Sequence, residues 1–329
     1  MHVDARCPQA GSHDCHLRGA RGDGVERQDQ VRGDGTPLLN REVAISVWKT
    51  ATAEHPLDRG LLVGILNITP DSFSDGGDYL DVEDAVAAGE AMSARGAAIV
   101  DVGGESTRPG ARVVSAGEEA DRVLPVVKAL VDRGVPVSID TSKPEVAALA
   151  IASGASVIND VTGFRNPDMI DIAVVSRSGV VVMHMLGDPR TMQDEPRYND
   201  VVDDVKAFVV GQAMRLVDAG VDPAAVVVDP GFGFGKTTRH NLELVNRLGE
   251  FVTSGFPVML GASRKSTLKA LTGEEDPKRR DGHTAVLTAI GFDRGARLFR
   301  VHDIGQSRDA LQIAAAIVNP QRWEEWQQD

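Results

Sequence analysis

The chain has 329 residues, of which 42% are hydrophobic but only 4% aromatic, enough for one large domain whose core is built from aliphatic Val, Ile, Leu and Ala. A formal net charge of −13 argues against a general nucleic-acid or anionic-membrane binder, since either favours a basic surface. Any anionic ligand must then be held by a local basic cluster. The two cysteines, Cys7 and Cys15, lie with His13 and His16 in a spacing that matches no zinc site, and they exclude a disulfide framework for the rest of the chain. No apolar stretch reaches membrane-spanning length, and the start lacks the charged-then-apolar layout of a signal peptide. A cytoplasmic protein without membrane or nucleic-acid partners is expected.

Taken in chain order, residues 1–40 are rich in Gly, Arg, Asp, Gln and His and have no periodic apolar face, so a disordered extension is predicted. Residues 41–60 form a lead-in segment in which Val43–Trp48 reads as a short strand. From Leu61 a unit repeats: a short apolar run ends in a polar residue, a loop follows, then a helix-like stretch. The runs are Leu61–Asn67, Ala98–Asp101, Val137–Asp140, Val157–Asn159, Val180–His184, Val226–Asp229, Val258–Ser263 and Leu298–His302. Helical spacing marks Val82–Arg95, ending at Gly96, then Ala116–Val131, Val202–Val217, Thr284–Ile290 and Ser307–Val318. Runs that are apolar throughout suit strands buried on both faces. Eight such units predict an α/β fold, a (β/α)8 TIM barrel over residues 61–318, with 319–329 as a C-terminal tail.

Asn67, Asp101, Asp140, Asn159, His184, Asp229, Ser263 and His302 each stand where a strand gives way to its loop. In such a barrel those junctions open onto one face, where active sites are built. Gly64–Gly77 runs from strand into a polar loop in which Asn67 and Asp71 offer oxygen ligands to a hard cation, though an ordinary turn accounts for them equally well. In Asp101–Gly110, glycines allow close backbone approach, while Thr107 and Arg108 suit an anion. Each strand-end Asp, taken singly, also fits a helix N-cap. Gly231-Phe-Gly-Phe-Gly-Lys-Thr237 has three residues, not four, between its outer glycine and Gly-Lys, which excludes a nucleotide phosphate loop. Arg239 and His240 are assigned to the helix that follows.

Gly64–Gly77 and Asp101–Gly110 together resemble the two signature motifs of the dihydropteroate synthases. The likeness continues through Val137–Lys143, Ile158–Asp160, Met183–Met185, Asp229–Lys236, Gly261–Ser266 and Arg300–Asp303, covering about Leu61 to Ile317. The family condenses 6-hydroxymethyl-7,8-dihydropterin diphosphate with para-aminobenzoate and releases diphosphate. The resemblance implies pterin recognition by Asp140, Asn159, Met183, Asp229, Gly261, Lys265 and Arg300. It implies para-aminobenzoate contacts from Thr107, Arg108, Pro109, Phe234 and Ser266, and diphosphate binding by Asn67, Arg300 and His302, with Mg²⁺ held at Asn67. Asp101, Lys265, Arg300 and His302 are the implied catalytic set, and the loops Asp71–Gly77 and Glu105–Ala111 are expected to assemble the second-substrate site. A homodimer through Thr284–Ile290 and Ser307–Val318 is expected on the same ground. Two other readings stay open: a methyltetrahydrofolate-type pterin methyltransferase, and a catalytically silent pterin-binding paralogue.

Overall fold

The computed structural model describes residues 45–68, 82–107, 112–189 and 191–326. The expected disordered extension, the Asp71–Gly77 loop, Arg108 and Pro109 lie outside them.

The chain enters through an antiparallel hairpin, β1 (Val47–Lys49) and β2 (Glu54–Pro56), in which Trp48 faces His55. The sequence reading anticipated one strand here, ending a residue earlier. Eight parallel strands follow: β3 (Leu61–Asn67), β4 (Ile99–Gly103), β5 (Val137–Asp140), β6 (Val157–Asp160), β7 (Gly179–Met183), β8 (Val226–Asp229), β9 (Met259–Leu260) and β10 (Leu298–Val301). Each pairs with its neighbour in chain order, β10 returns to β3, and a parallel bridge from Val228 to Val258 joins β8 to β9. The ring is therefore a (β/α)8 barrel. The seventh run, expected from Val258 to Ser263, pairs from Val258 to Leu260; beyond Gly261 the chain turns, with Arg264 in the left-handed region at φ 59°.

Helices α1 (Val82–Ala94), α2 (Ala116–Asp132), α3 (Pro144–Ala152), α4 (Pro167–Ser176), α5 (Val201–Ala219), α6 (Thr238–Asn246), the short α7 (Gly249–Val252), α8 (Ser266–Thr272), α9 (Asp281–Asp293) and α10 (Ile304–Val318) fill the crossovers. Parallel strands need such connections to reverse direction. Local chemistry explains several ends. The Ser115 hydroxyl accepts from Glu118 N at the start of α2, Asp200 accepts from Val202 N and Asp203 N at the start of α5, and α5 ends on Gly220 at φ 113°. Helices α3, α4, α7 and α8 were not anticipated: α7 and α8 are only 4 and 7 residues long, and the apolar residues of α3 and α4 lack a clean period; α3 and α4 each open with Pro in the first turn, and Asn166 caps α4. The 319–329 tail carries a further helix, α11 (Pro320–Trp326).

Strand alternation splits the core in two. Outward side chains such as Leu62, Val100, Ile139, Ile158, Val182, Val228 and Phe299 join the helices in one large cluster. Inward residues at the barrel floor, Val63, Ile99, Val157, Val181, Val227, Met259 and Leu298, form a second cluster with Trp48 and Leu57. The hairpin is thus a plug: Trp48 is 1% exposed, and its indole N–H donates to the Ala225 carbonyl at 3.0 Å. Trp48→Ala should cost about 3–5 kcal/mol in chemical denaturation through the cavity it leaves. Because the plug lies opposite the polar rim, turnover per folded molecule should stay at the wild-type level.

Candidate active site

Above the apolar floor, the inward positions near the C-terminal ends of the strands become polar. Register places Asn67, Gly103, Asp140 and Asn159 side by side on four adjacent strands, with Asp101 one inward position below Gly103. Arg300 and His302 rise from β10 and its end, two residues apart. Asp229 ends β8, Met183 ends β7, and Gly261 follows β9.

Arg300 is the centre of this rim. Its Nε donates to Asp101 Oδ2 at 2.6 Å and its Nη2 to Asp140 Oδ2 at 2.6 Å. Asn159 Nδ2 donates to the same Asp101 oxygen at 2.9 Å, so one carboxylate oxygen serves two strands. Asp101 Oδ1 is buried and has no hydrogen-bond partner among the described residues. Burial opposes the Arg300 charge, but Asp101 and Asp140 outweigh it and hold the guanidinium more firmly protonated than usual. Burial pushes Asp140 up to about 7, with Arg300 pulling it down and Asp101 adding repulsion. Asp229 rises to about 6, again through burial, although it accepts from Gly231 N at 2.7 Å and feels Lys265 and Arg300. An N-cap role does not account for Asp140, since α3 begins only at Pro144 with Lys143 in the cap position.

The loops beside the rim carry the remaining groups. Lys265 precedes α8, and its Nζ sits 3.9 Å above the Phe234 ring, a cation–π contact. Arg264 shapes that turn: its guanidinium makes two hydrogen bonds to Asp281, at 2.7 and 2.6 Å, while Arg280 donates to its carbonyl. Phe234, Met183, Met185, Met192 and Val161 form a small apolar cluster bordering Asp229. Ser263 Oγ accepts from the His302 backbone N–H at 3.2 Å and lies 2.8 Å from His302 Nδ1. Thr107 is half-buried and Ser266 exposed. Below the Thr107 loop, Lys143 Nζ reaches Glu105 and buried Glu119 at 2.5 Å each, and Glu105 also accepts from Val114 N. Glu105 thereby ties the two ends of its own loop together.

Comparison with known proteins meets this geometry from another side. Residues 63–302 match the family model described as pterin binding enzyme. The dihydropteroate synthase of Mycobacterium leprae is 47% identical over 262 residues, 78% of this chain and 92% of the relative. The Xanthomonas albilineans dihydropteroate synthase solved with 4-aminobenzoic acid superposes with a TM-score of 0.78 at 43% identity, covering 83% of this chain and 98% of that one. Another structure of that enzyme, in complex with 7,8-dihydropteroate, gives a TM-score of 0.75 at 40% identity, with the same coverage of both chains. The chain belongs to the pterin-binding family of dihydropteroate synthases.

It is accordingly a transferase of folate biosynthesis, and the methyltransferase alternative falls away. Of the residues that the sequence motifs singled out, Asn67, Asp101, Asp140, Asn159, Met183, Asp229, Gly261, Arg300 and His302 share the rim. Thr107, Phe234 and Lys265 stand on loops after β4, β8 and β9, and Ser266 is the first residue of α8. Sequence reasoning missed the Glu105–Lys143–Glu119 network, the Arg264–Asp281 clamp and a buried Lys236–His184 contact. Lys143 and Lys236 lie inside quoted motifs, but burial of a lysine leaves no mark in a single sequence.

The raised carboxyls have a consequence for stability. Folded Asp229 holds its proton up to about pH 6, whereas in the unfolded chain it ionises near 3.8, so its contribution to stability declines as pH rises through that window. A shift of that size corresponds to roughly 3 kcal/mol. Asp229→Asn, which keeps an oxygen for Gly231 N–H, should lose less stability than wild type between pH 4 and 8 in urea titrations. Parallel curves for the two proteins would contradict this.

Proposed function

We propose that the rim condenses a pterin diphosphate with para-aminobenzoate by substitution at the pterin methylene carbon. The observation that carries this reading is the convergence of Asp101, Asp140, Asn159, Asp229, Lys265 and Arg300 on one barrel mouth. A flat pterin edge alternates donors and acceptors. Asp140 and Asp229 accept from ring N–H and amino groups, Asn159 does both, and the Lys265 ammonium donates to ring oxygen or nitrogen. Met183 packs on the ring face, and the missing side chain at Gly261 leaves room beside Asp229, where an added Cβ would lie 3.4 Å from Oδ2. Asp101, with one buried oxygen unpartnered among the described residues, supports positive charge as it grows on the pterin.

Arg300, His302 and Asn67 face the diphosphate. As the carbon–oxygen bond breaks, Arg300 and His302 stabilise charge on the leaving group, and the aromatic amine forms the carbon–nitrogen bond and then sheds a proton. No strong general base is required, because the arylamine is unprotonated at neutral pH. Thr107, Arg108, Pro109, Phe234 and Ser266 border the second substrate, in keeping with the 4-aminobenzoic acid and dihydropteroate of the Xanthomonas albilineans structures.

Mg²⁺ belongs to this reading as a companion of the diphosphate. Among the described residues no group of three or more His, Cys, Asp or Glu could hold a metal, while the Asn67 amide oxygen is a hard donor suited to an ion that keeps its waters and phosphate oxygens. When bound, the ion neutralises charge on the diphosphate. The reading also carries a cytoplasmic setting and a homodimer, the latter supported by exposed Val286 and Ile290 on α9 and Ile313 and Ile317 on α10. Among the described residues no helix is long and apolar enough to cross a membrane.

Purified protein with Mg²⁺ and the pterin diphosphate should release diphosphate only when para-aminobenzoate is added, with dihydropteroate formed in equal amount. Pterin binding without turnover would instead mark a silent paralogue. Lys265→Ala should weaken pterin diphosphate binding roughly 10- to 150-fold, the loss expected for one hydrogen bond from a charged group. An unchanged dissociation constant in calorimetry would remove Lys265 from the pterin site.

A further inference from the structure

Under the Phe234 side of the rim lies a buried contact that plays no part in the chemistry above. Lys236, the residue after the Gly231–Gly235 stretch, is 3% exposed. Its Nζ is 2.9 Å from His184 Nδ1, 3.0 Å from the Phe234 carbonyl and 3.5 Å from the His184 carbonyl. As an ammonium, Lys236 offers three donors and no acceptor, which match these three acceptors with His184 Nδ1 as the unprotonated ring nitrogen; burial pulls the Lys236 pKa down to about 7. Burial, with Lys236 and Arg165 nearby, drives the His184 imidazole down to about 3, which keeps it neutral and able to accept.

The contact spans two parts of the rim. His184 follows Met183 at the end of β7, and its ring is walled by Phe208 at 5.2 Å, edge to face, and Tyr198 at 6.1 Å. Phe234 sits on the other side, beneath the Lys265 ammonium. The glycine loop is pressed against the β7 end so closely that a Cβ on Gly231 would lie 1.8 Å from the His184 carbonyl oxygen and one on Gly235 2.5 Å from Leu186 Cβ. Both glycines have positive φ, 68° and 66°. Tyr198 donates to the Gly235 carbonyl and Gln193 to the Gly233 carbonyl, each at 2.7 Å. Among the described residues, Lys236 alone bonds the Phe234 carbonyl itself to the strand-end residue His184.

We propose that Lys236, acting through His184, is a positioning residue that sets the Phe234 ring for the arylamine substrate. The inference rests on the reading of Phe234 as a border of the para-aminobenzoate site. A small displacement of a positioning group is enough to weaken a substrate contact strongly. The effect should fall mainly on the second substrate, because the Asp140–Arg300–Asp101–Asn159 network shares no hydrogen bond with Lys236, whose link to the pterin side is its charge acting on Asp229.

The test compares wild type, Lys236→Met, His184→Leu and His184→Asn by steady-state kinetics with varied para-aminobenzoate at saturating pterin diphosphate, and by calorimetric titration with pterin diphosphate. Lys236→Met and His184→Leu should raise KM for para-aminobenzoate roughly 10- to 100-fold while kcat holds and pterin diphosphate affinity changes far less. His184→Asn, whose Oδ1 can replace Nδ1 as acceptor, should stay near wild type; this rescue keeps the test decisive where Lys236→Met folds poorly. An unchanged KM in His184→Leu, or kcat and pterin affinity falling together with KM, would overturn the proposal. If wild type itself showed no para-aminobenzoate-dependent release, the functional reading would fail first, and the variants would not be needed to see it.

Discussion

A buried guanidinium shared between two carboxylates governs the upper half of this barrel. Arg300 reaches across the interior to Asp101 on β4 and Asp140 on β5, and neither acid could sit so deep without it. Removing two or three charges from water costs several kcal/mol each, and attraction offsets that cost only where hydrogen bonds are well formed. The geometry meets that condition: both contacts are 2.6 Å, and Asn159 adds a second donor to the Asp101 oxygen already used. Among the described residues Asp101 Oδ1 keeps no hydrogen-bond partner, and burial holds the Asp140 and Asp229 carboxyls well above their usual range. The site holds acidic groups that are costly to leave alone and favourable to pair with a ligand rich in N–H donors.

That arrangement needs a rigid floor, and strand alternation supplies it. Inward residues from Val63 to Leu298 close the bottom with aliphatic side chains, and Trp48 fills the end of the barrel. The polar layer therefore stands on close-packed apolar material that moves little. Loops after β4, β8 and β9 bring the other groups to the edge, each tied down by charge or by close backbone packing: Glu105 with Lys143, Gly231 against His184, and Arg264 with Asp281.

Most of the fold could be read from residue order because it rests on local pattern. Eight β-branched runs ending in polar residues, with helical periods between them, map onto β3 to β10 with end shifts of a few residues. The failures have local causes too. Helices α3 and α4 are apolar on more than one face and lacked a period to detect, and β9 was over-read because Gly261-Ala-Ser continues an apolar run that Arg264 then bends away.

Residue types and their positions at strand ends were thus determined by the sequence alone: which side chains could meet at one mouth, and, through motif resemblance, which family they belong to. Pairing was decided only by the tertiary structure. No spacing says that Arg300 would bridge Asp101 and Asp140, 199 and 160 residues away, or that Lys236 would be buried against His184. Those contacts depend on strand tilt, barrel closure and the depth at which each side chain is removed from water. These are properties of the closed ring, and no single stretch of chain carries them.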